Sequence, residues 1–462
     1  MTALKRYYRT SSDCETSDGE ACRNNVLAFV DHGMFAMRPP GGETVLQYFW
    51  VYEHPVDLEE LRRLHRNLGR GLLGRRIERS PLPFARHRWV SDPGPEIDIA
   101  ERARPRAELS IWADERAQLP INSEAGPGWR LSVAPFTDGS TAVSLEASHF
   151  VIDGVGLLVA VTEAIHGRTR DLGYPAPCSR TKLRAVAEDV RQTARDVPEI
   201  ARALLAATRM ARRRPRDDAR KPAAHQGAAP IDGDDDVVFI PGLTLLIDLD
   251  SWDECAERLG GTSAVLLAGL AARIADHMGR RDTHGAVTVQ LPVNERTEGD
   301  TRANALSFVR VRVDPSHVTT DLRDVRGAVR DALKAARESS VDPSETFPLA
   351  LLMSRRAIRR IAATADPEYP VVCSHLGDID PILGCIDGTE AEIATGRAFG
   401  QDLTRHTLEQ LGGVMGVQLW RIRGKASITI DAYQPGADNT KQALQQVVWH
   451  TLSEFGLTGI ID

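Results

Sequence analysis

A segment with blocks of opposite charge divides this chain of 462 residues near its middle. A basic run over Arg212–Arg216 leads through residues rich in Ala, Pro and Gly to an acidic run over Asp232–Asp236. Because such a composition cannot bury a core, the segment is predicted to be an exposed linker. The division predicts an N-terminal lobe over residues 1–205, a linker over 206–238 and a C-terminal lobe over 239–462.

The residues just before the linker, 181–210, have apolar side chains at helical spacing and are predicted to form a helix. Its basic end has two interpretations, a peripheral contact with a membrane surface or a solvated linker. The solvated linker is favoured, because acidic residues follow and bulky aromatic residues are absent.

Predicted strands and helices alternate on both sides of the linker. The first half has predicted strands over 43–53, 129–135 and 141–149, and a helix over 57–68 for which Asp57 is a plausible N-cap. The second half has predicted strands over 243–249, 286–291, 306–313 and 426–433, and helices over 251–259, 263–277 and 321–337. Two α/β halves of similar size and order indicate a pseudo-symmetric pair of lobes, with a site expected in the cleft between them.

Composition excludes several classes of function. With 57 basic and 64 acidic residues the net charge is −7, so no general attraction to nucleic acid or anionic lipid is expected. The six cysteines form no CxxC pair, which favours reduced thiols over a zinc knuckle or disulfide framework, and no metal site is predicted. The first 25 residues lack the apolar core of a signal peptide, and no apolar run approaches the ~18 residues of a membrane span. A cytoplasmic protein is therefore expected.

The segment Ser148–Gly154 is the strongest chemical signal in the sequence. On the preceding strand, alternate residues place Val143, Leu145, Ala147 and His149 on one face. His149 is therefore expected to point inward at the end of this strand. An imidazole at that place is suited to general-base work, because its ordinary pKa lies near neutrality. The alternative interpretation is a structural histidine beside a turn-forming Asp-Gly pair.

Asp153 and Gly154 follow in the bend between this strand and an amphipathic helix that ends near Gly167. Gly154 is expected to adopt a backbone conformation that other residues resist. The carboxylate of Asp153 can accept backbone N–H bonds or pair with an arginine, and either contact would hold the bend in one shape. Near the start of the chain, Asp31 and His32 could line the mouth of a site, but polar residues at a strand edge are the favoured interpretation.

The His-x-x-x-Asp-Gly pattern at His149, Asp153 and Gly154 resembles the hallmark of the superfamily that contains chloramphenicol acetyltransferase, condensation domains of nonribosomal peptide synthesis, polyketide-associated acyltransferases and bacterial wax ester synthases. Three further segments are similar to those proteins, namely 126–131, 291–296 followed by 304–307, and 374–378. The sequence departs from the pattern at Ser148, where many members have a second histidine, at Thr262-Ser263, where wax synthases favour Asn-Asp, and at His375, where asparagine is usual.

The resemblance implies an α/β fold of two chloramphenicol acetyltransferase-like lobes with a central cleft or tunnel, and His149 as general base. It further implies that Asp153 is structural and pairs with Arg296, for which a solvated arginine at a strand end is the alternative. Asn304 either orients the substrate carbonyl or caps a strand. Ser374 and Gly377 are expected to shape the tunnel wall.

The implied activity is transfer of an acyl group from a thioester, on acyl-CoA or on an acyl or peptidyl carrier protein, to an alcohol or amine acceptor. No bound cofactor is expected, the acceptor is expected to be a small molecule, and a monomer is expected. Two alternatives stay open. One is a stand-alone condensation enzyme that forms amides in natural-product biosynthesis, and the other is a binding protein that kept the fold without catalysis.

Overall fold

The computed structural model describes residues 25–38, 42–213, 236–338, 343–354, 357 and 370–461. Its α-helices are α1 (Phe29–Met37), α2 (Leu58–Leu68), α3 (Leu109–Ala117), α4 (Gly154–Ile165), α5 (Lys182–Arg213), α6 (Leu249–Arg258), α7 (Ser263–His277), α8 (Arg323–Glu338), α9 (Arg405–Gln410) and α10 (Lys441–Phe455). Its strands are β1 (Glu43–Tyr52), β2 (Arg75–Glu78), β3 (Arg88–Ser91), β4 (Asp98–Ile99), β5 (Trp129–Pro135), β6 (Thr141–Ser148), β7 (Gly242–Asp248), β8 (Val287–Asn294), β9 (Leu306–Val313), β10 (Val371–Asp378), β11 (Ile393–Gln401), β12 (Val414–Ile422), β13 (Lys425–Tyr433) and β14 (Ile460–Ile461). Short 3₁₀ helices span Arg106–Glu108, Pro343–Leu352 and Pro381–Gly384.

The first lobe is built on a five-stranded sheet in the order β11-β1-β6-β5-β4. One face carries α2 and α4, which pack against large side chains such as Tyr48 and Trp50. The opposite face carries α3, which packs against Phe49 and Val51. Because helices cover both faces, every residue of β6 is buried, including the polar side chains that alternate with the apolar ones.

The second lobe is built on a seven-stranded sheet in the order β14-β7-β13-β12-β10-β8-β9. Its largest apolar cluster joins this sheet to α6, α7, α8 and α10. Helix α7 is buried on nearly all sides, with Leu266, Leu267 and Leu270 fully enclosed. The two lobes therefore each have a core of their own, as the predicted fold class requires.

Strand β11 corrects one part of the predicted division of the chain. It lies within the range 239–462 assigned to the C-terminal lobe, yet it pairs antiparallel with β1 along its whole length, from Ile393 opposite Val51 to Gln401 opposite Glu43. The strand belongs to the first sheet because backbone pairing across 350 residues decides its place, and local hydrophobicity does not report such pairing. Most of the predicted linker, residues 214–235, lies outside the described residues.

Helix α5 is attached to the first lobe by ion pairs. Asp196 accepts two hydrogen bonds from the guanidinium of Arg86, and Asp189 pairs with Arg88 and Arg180. Several apolar side chains of this helix, Leu183, Val190 and Val197 among them, are exposed. In the described part of the chain no single helix is long and apolar enough to cross a membrane, although α6 and α7, bent by 83°, together meet that length and composition.

Candidate active site

His149 follows directly after the last residue of β6 and is half-buried. Its backbone N–H donates to the carbonyl oxygen of Thr44 at 2.8 Å, which extends the pairing of β6 with β1 by one bond. The preceding residue, Ser148, is buried and donates its hydroxyl to the carboxylate of Glu43 at 2.6 Å. The serine that replaces the first histidine of the family pattern therefore anchors this strand end, and burial raises the pKa of its partner Glu43.

Asn304 contacts His149 at two points, one on the imidazole and one on the backbone. Its side-chain oxygen lies 3.1 Å from Nδ1 of His149, and its side-chain nitrogen donates to the carbonyl oxygen of His149 at 3.2 Å. A carbonyl oxygen only accepts, so the amide nitrogen must face it and the amide oxygen must face Nδ1. Nδ1 is then the protonated nitrogen, and Nε2 keeps the lone pair of a base.

The side chain of Asn304 is fully buried and contacts His149, and its part in orienting a substrate carbonyl or in capping a strand stays a prediction. Among the described residues, none forms a hydrogen bond to Nε2 of His149. The sequence motif alone does not reveal Asn304, because 155 residues separate it from His149.

Asp153 lies at the N-cap of α4, where its side chain accepts the backbone N–H of Gly156 at 2.6 Å. Its second oxygen accepts the backbone N–H of Ala305 at 2.7 Å and a guanidinium N–H of Arg296 at 2.8 Å. Both of the contacts that the sequence suggests for this carboxylate are therefore present together. All of these groups are buried, and the carboxylate ties the end of the histidine motif to the second lobe.

Arg296 is buried, with its side chain 1% exposed. Besides Asp153 its guanidinium reaches the carbonyl oxygens of Asp300 at 3.2 Å, Arg302 at 3.1 Å and Ala303 at 3.0 Å. A buried charge with this many partners is costly to disturb, since loss of one partner of a buried ion pair typically costs about 3–5 kcal/mol. The structure thus shows the ion pair that the resemblance implies, and the solvated alternative for Arg296 is wrong.

The expectation for Gly154 needs a correction. Gly154 is the first residue of α4 and is absent from the glycines with positive φ, and a Cβ there would meet only Leu376 and Tyr48, each at 3.8 Å. Gly156 is the constrained glycine, because a Cβ there would lie 2.9 Å from Ile152 and 3.0 Å from the guanidinium of Arg296. A small residue at 156 lets Arg296 lie against the start of the helix, and no signal in the sequence distinguishes it from Gly154.

Strand β10 carries Ser374 and Gly377 to the same region, since Leu376 between them approaches Gly154. Gly377 has a φ of +79° and donates its N–H to Nδ1 of His375 at 3.1 Å. His375 also contacts the hydroxyl of Ser263 through Nε2 at 2.8 Å, and burial lowers its pKa to about 4. Two of the three departures from the family pattern, at Ser263 and His375, thus contact each other. The part of Ser374 and Gly377 in a tunnel wall stays a prediction.

Asp31 and His32 do not lie at a strand edge, as the favoured interpretation has it, but in helix α1. This helix is short, and Asp31 and His32 are both buried in it. Asp31 accepts the backbone N–H groups of Ala303 at 3.0 Å and Asn304 at 2.8 Å. Burial raises its pKa to about 6, although those two N–H bonds work in the opposite direction.

Arg75 is a buried residue that the sequence does not single out. Its guanidinium donates to the carbonyl oxygens of Thr301 at 2.6 Å and Val151 at 2.8 Å, and it lies 4.3 Å above the ring of Trp89. It therefore joins the histidine motif to the loop that leads into β9. The site therefore brings together four side chains, those of His149, Asp153, Arg296 and Asn304. Asp31 and Arg75 lie on two sides of this group.

A cavity of about 710 Å³ lies between the lobes, away from this site. Its lining includes Gln47, Phe49 and Val51 of β1 and Arg397 of β11. These β1 residues point to the face of the first sheet that carries α3, whereas Tyr48 points to the face that carries α4 and donates its hydroxyl to the carbonyl oxygen of Gly154 at 2.6 Å. The cavity and His149 are therefore on different sides of the sheet.

Neither a model of a known protein family nor a curated protein sequence matches the chain. Among solved structures, the first condensation domain of the CDA synthetase matches 95% of this chain and 100% of its own length, with a TM-score of 0.55 and 14% identity. A mutant starter condensation domain of rhizomide synthetase RzmA, in complex with C8-CoA and Leu-SNAC, matches 94% of each chain, with a TM-score of 0.54 and 15% identity. The EpoB cyclization-docking bidomain from Sorangium cellulosum matches 96% of this chain and 87% of its own, with a TM-score of 0.55 and 13% identity.

These likenesses define the class of fold. The chain has the two-lobed, chloramphenicol acetyltransferase-like fold of nonribosomal peptide condensation domains. The resemblance read from the histidine motif is thereby confirmed at the level of the fold. At identities of 13–15% the likeness carries no activity from those proteins to this one.

Proposed function

We propose that the protein is an acyltransferase that moves an acyl group from a thioester to an alcohol or amine, with His149 as general base. The observation that carries this proposal is the pair of contacts between Asn304 and His149, which in the neutral imidazole places the proton on Nδ1 and the lone pair on Nε2. A base needs a lone pair on the nitrogen that faces the acceptor, and a fixed tautomer supplies it without a reorganisation step.

In the proposed reaction Nε2 of His149 removes the proton from the acceptor's hydroxyl or amine as that atom attacks the thioester carbonyl. The C–O or C–N bond forms, the tetrahedral intermediate collapses, and the C–S bond breaks. The proton on His149 passes to the departing thiolate, so the imidazole returns to its starting form. The reaction requires neither a bound metal nor a covalent enzyme intermediate.

Asp153 and Arg296 have a structural part in this proposal, because both are buried and neither hydrogen-bonds His149. Their contacts hold the start of α4 against residues 300–305, and so keep His149 and Asn304 at a fixed separation. The proposed donors are acyl-CoA and an acyl or peptidyl carrier protein, and the proposed acceptor is a small molecule. A monomer in the cytoplasm is part of the same proposal.

Amide formation is the second candidate, favoured by the likeness to condensation domains, one of which is described in complex with C8-CoA and Leu-SNAC. Under this candidate the acceptor is the amine of an aminoacyl thioester, and the product stays on its carrier. The two candidates share the base and differ in the acceptor, which is a free small molecule in the first and an aminoacyl thioester in the second, so assays with both kinds of acceptor separate them.

The test measures free thiol released from acyl-CoAs of increasing length and from the matching N-acetylcysteamine thioesters, with alcohol or amine acceptors. Wild type, His149→Ala and His406→Ala are compared, since His406 is an exposed histidine of α9 whose ring nitrogen contacts Gln410. Acceptor-dependent release should fall about 10²–10⁴-fold in His149→Ala and stay unchanged in His406→Ala. Mass spectrometry of the product then distinguishes an ester from an amide.

Equal release by wild type and His149→Ala would remove the histidine from the mechanism. If no donor of either kind gives release above background, the remaining hypothesis is a binding protein with this fold.

A further inference from the structure

Three consecutive backbone N–H groups in the loop before β9 all donate to buried carboxylates. Ala303 and Asn304 donate to the two oxygens of Asp31, and Ala305 donates to Asp153. The loop that carries Asn304 is thus hydrogen-bonded to α1 on one side and to the start of α4 on the other. Asn304 is the residue of this loop whose side chain reaches His149.

The carboxylate of Asp31 is costly to keep in this position. Asp31 is 2% exposed, and burial is the main reason that its pKa is raised to about 6. The charges that act on it include Arg75, which favours the carboxylate, and Asp153, which disfavours it. Both oxygens of Asp31 accept hydrogen bonds from the backbone of the loop. The expected function of this buried charge is therefore to hold that loop in position.

We infer that Asp31 is a positioning residue for the base, which acts through Asn304. By holding the backbone N–H groups of residues 303 and 304, Asp31 keeps the amide of Asn304 in the plane where its oxygen meets Nδ1 of His149. If the loop shifts, the amide can turn its NH₂ toward Nδ1, and that contact selects the tautomer with the proton on Nε2. The expected effect of Asp31 on the rate of acyl transfer rests on the proposed function. Its expected effect on the tautomer of His149 does not.

Asp31→Asn is the sharpest substitution, because it keeps the size of the side chain but provides only one acceptor oxygen. One of the two backbone N–H groups would then face an NH₂ donor. Asp431→Asn is the matched control, since Asp431 is also a buried aspartate with a raised pKa but lies on β13 in the second lobe. Asp31→Ser removes the carboxylate without adding an amide, and it replaces Asp31→Asn if that variant does not fold.

The first measurement is the tautomer of His149, by NMR of protein that contains ¹⁵N-labelled histidine. The signals of His149 are assigned by their loss in the His149→Gln variant. Wild type and Asp431→Asn should carry the proton on Nδ1, and the Asp31 variants should show a mixture of both tautomers. In the acyl-transfer assay, kcat should fall about 10- to 100-fold in the Asp31 variants, as for other residues that orient an active-site group. KM should change less than about threefold, since substrate contacts are not touched.

Wild-type protein with the proton on Nε2 would overturn the inference. So would folded Asp31 variants that keep the wild-type tautomer. Absence of acyl transfer from every donor would overturn the proposed function only, because the NMR result still decides whether Asp31 sets the state of His149.

Discussion

The side-chain amide of Asn304 bridges two parts of one residue, since it contacts Nδ1 of His149 with its oxygen and the carbonyl oxygen of His149 with its nitrogen. The ring and the backbone of His149 are thereby fixed relative to each other. A rotation of the ring would break the first contact, and a change in the backbone would break the second. The orientation of the imidazole is therefore determined by the second half of the chain, although the histidine itself belongs to the first.

Asn304→Asp should move the pH dependence of the reaction. The substituted carboxylate would stabilise the protonated imidazole of His149, which cannot act as a base. The acid limb of the profile of kcat against pH should therefore move to higher pH, by about one unit or more. Asn304→Ala is the comparison, because it should lower kcat without moving that limb upward. A profile of Asn304→Asp that coincides with wild type would contradict the proposed contact.

Gly156→Ala and Gly154→Ala should differ in stability, although the two glycines are two residues apart. A Cβ at 156 would press on Ile152 and on the guanidinium of Arg296, which predicts a loss of about 1–3 kcal/mol in the free energy of unfolding. A Cβ at 154 has ordinary contacts, and alanine in a helix is favoured over glycine, so this variant should stay within about 1 kcal/mol of wild type. Urea unfolding of the two variants measures both values, and equal losses would show that the glycines are equivalent.

Asp153 and Arg296 should be strongly coupled. Asp153→Asn and Arg296→Lys each leave a buried polar group short of its partner, which predicts a loss of about 3–5 kcal/mol for either variant. The double variant should lose less than the sum of the two, with a coupling free energy of more than about 1 kcal/mol. A double-mutant cycle by urea unfolding gives this value, and additive losses would mean that the ion pair has no energetic part in the fold.

Asp431 should make the stability of the protein depend on pH. Burial raises the pKa of this carboxyl from 3.8 to about 7, so between these pH values the folded protein holds a proton that the unfolded chain releases. The stability that this proton contributes is complete below about pH 4 and is lost as pH rises toward 7.

Asp431→Asn should remove this dependence. The free energy of unfolding of the variant relative to wild type should be about 2–3 kcal/mol higher at pH 8 than at pH 5. Unfolding in urea at both pH values provides the measurement. Asp331→Asn is the control, because Asp331 is an exposed carboxylate of α8, and its relative stability should not change with pH. A pH-independent difference for Asp431→Asn would show that the carboxyl is charged throughout.

The elements that the sequence predicts well have clear local patterns. Strands β1, β5, β6 and β9 and helices α2 and α7 lie within a residue of their predicted ranges, because alternation, helical spacing and the cap at Asp57 are local features. Strand β11 has no such pattern, since Gly396 and Gly400 interrupt it. At Gly396 a side chain would collide with Trp420 and Tyr48, so the glycine that weakens the prediction is required by the packing.

The site was predictable only in part. The motif identifies His149 and Asp153, and the family resemblance adds Arg296, because those residues are part of a recurring pattern. Asp31 contributes through contacts with backbone groups 272 and 273 positions away, which a single sequence does not encode. The same holds for Arg75 and Gly156, whose importance arises from what packs against them.

Strand β11 limits how the molecule can move. In a protein whose halves are joined only by a connecting segment, that segment could act as a hinge and allow the two halves to separate widely. Here the second half contributes β11, which pairs with β1 along nine residue positions. Wide separation of the lobes would therefore break the backbone pairing between these two strands. The first half, expressed by itself, would lack one strand of its own sheet. The two lobes are therefore expected to unfold together, because their separation requires the pairing between β11 and β1 to break.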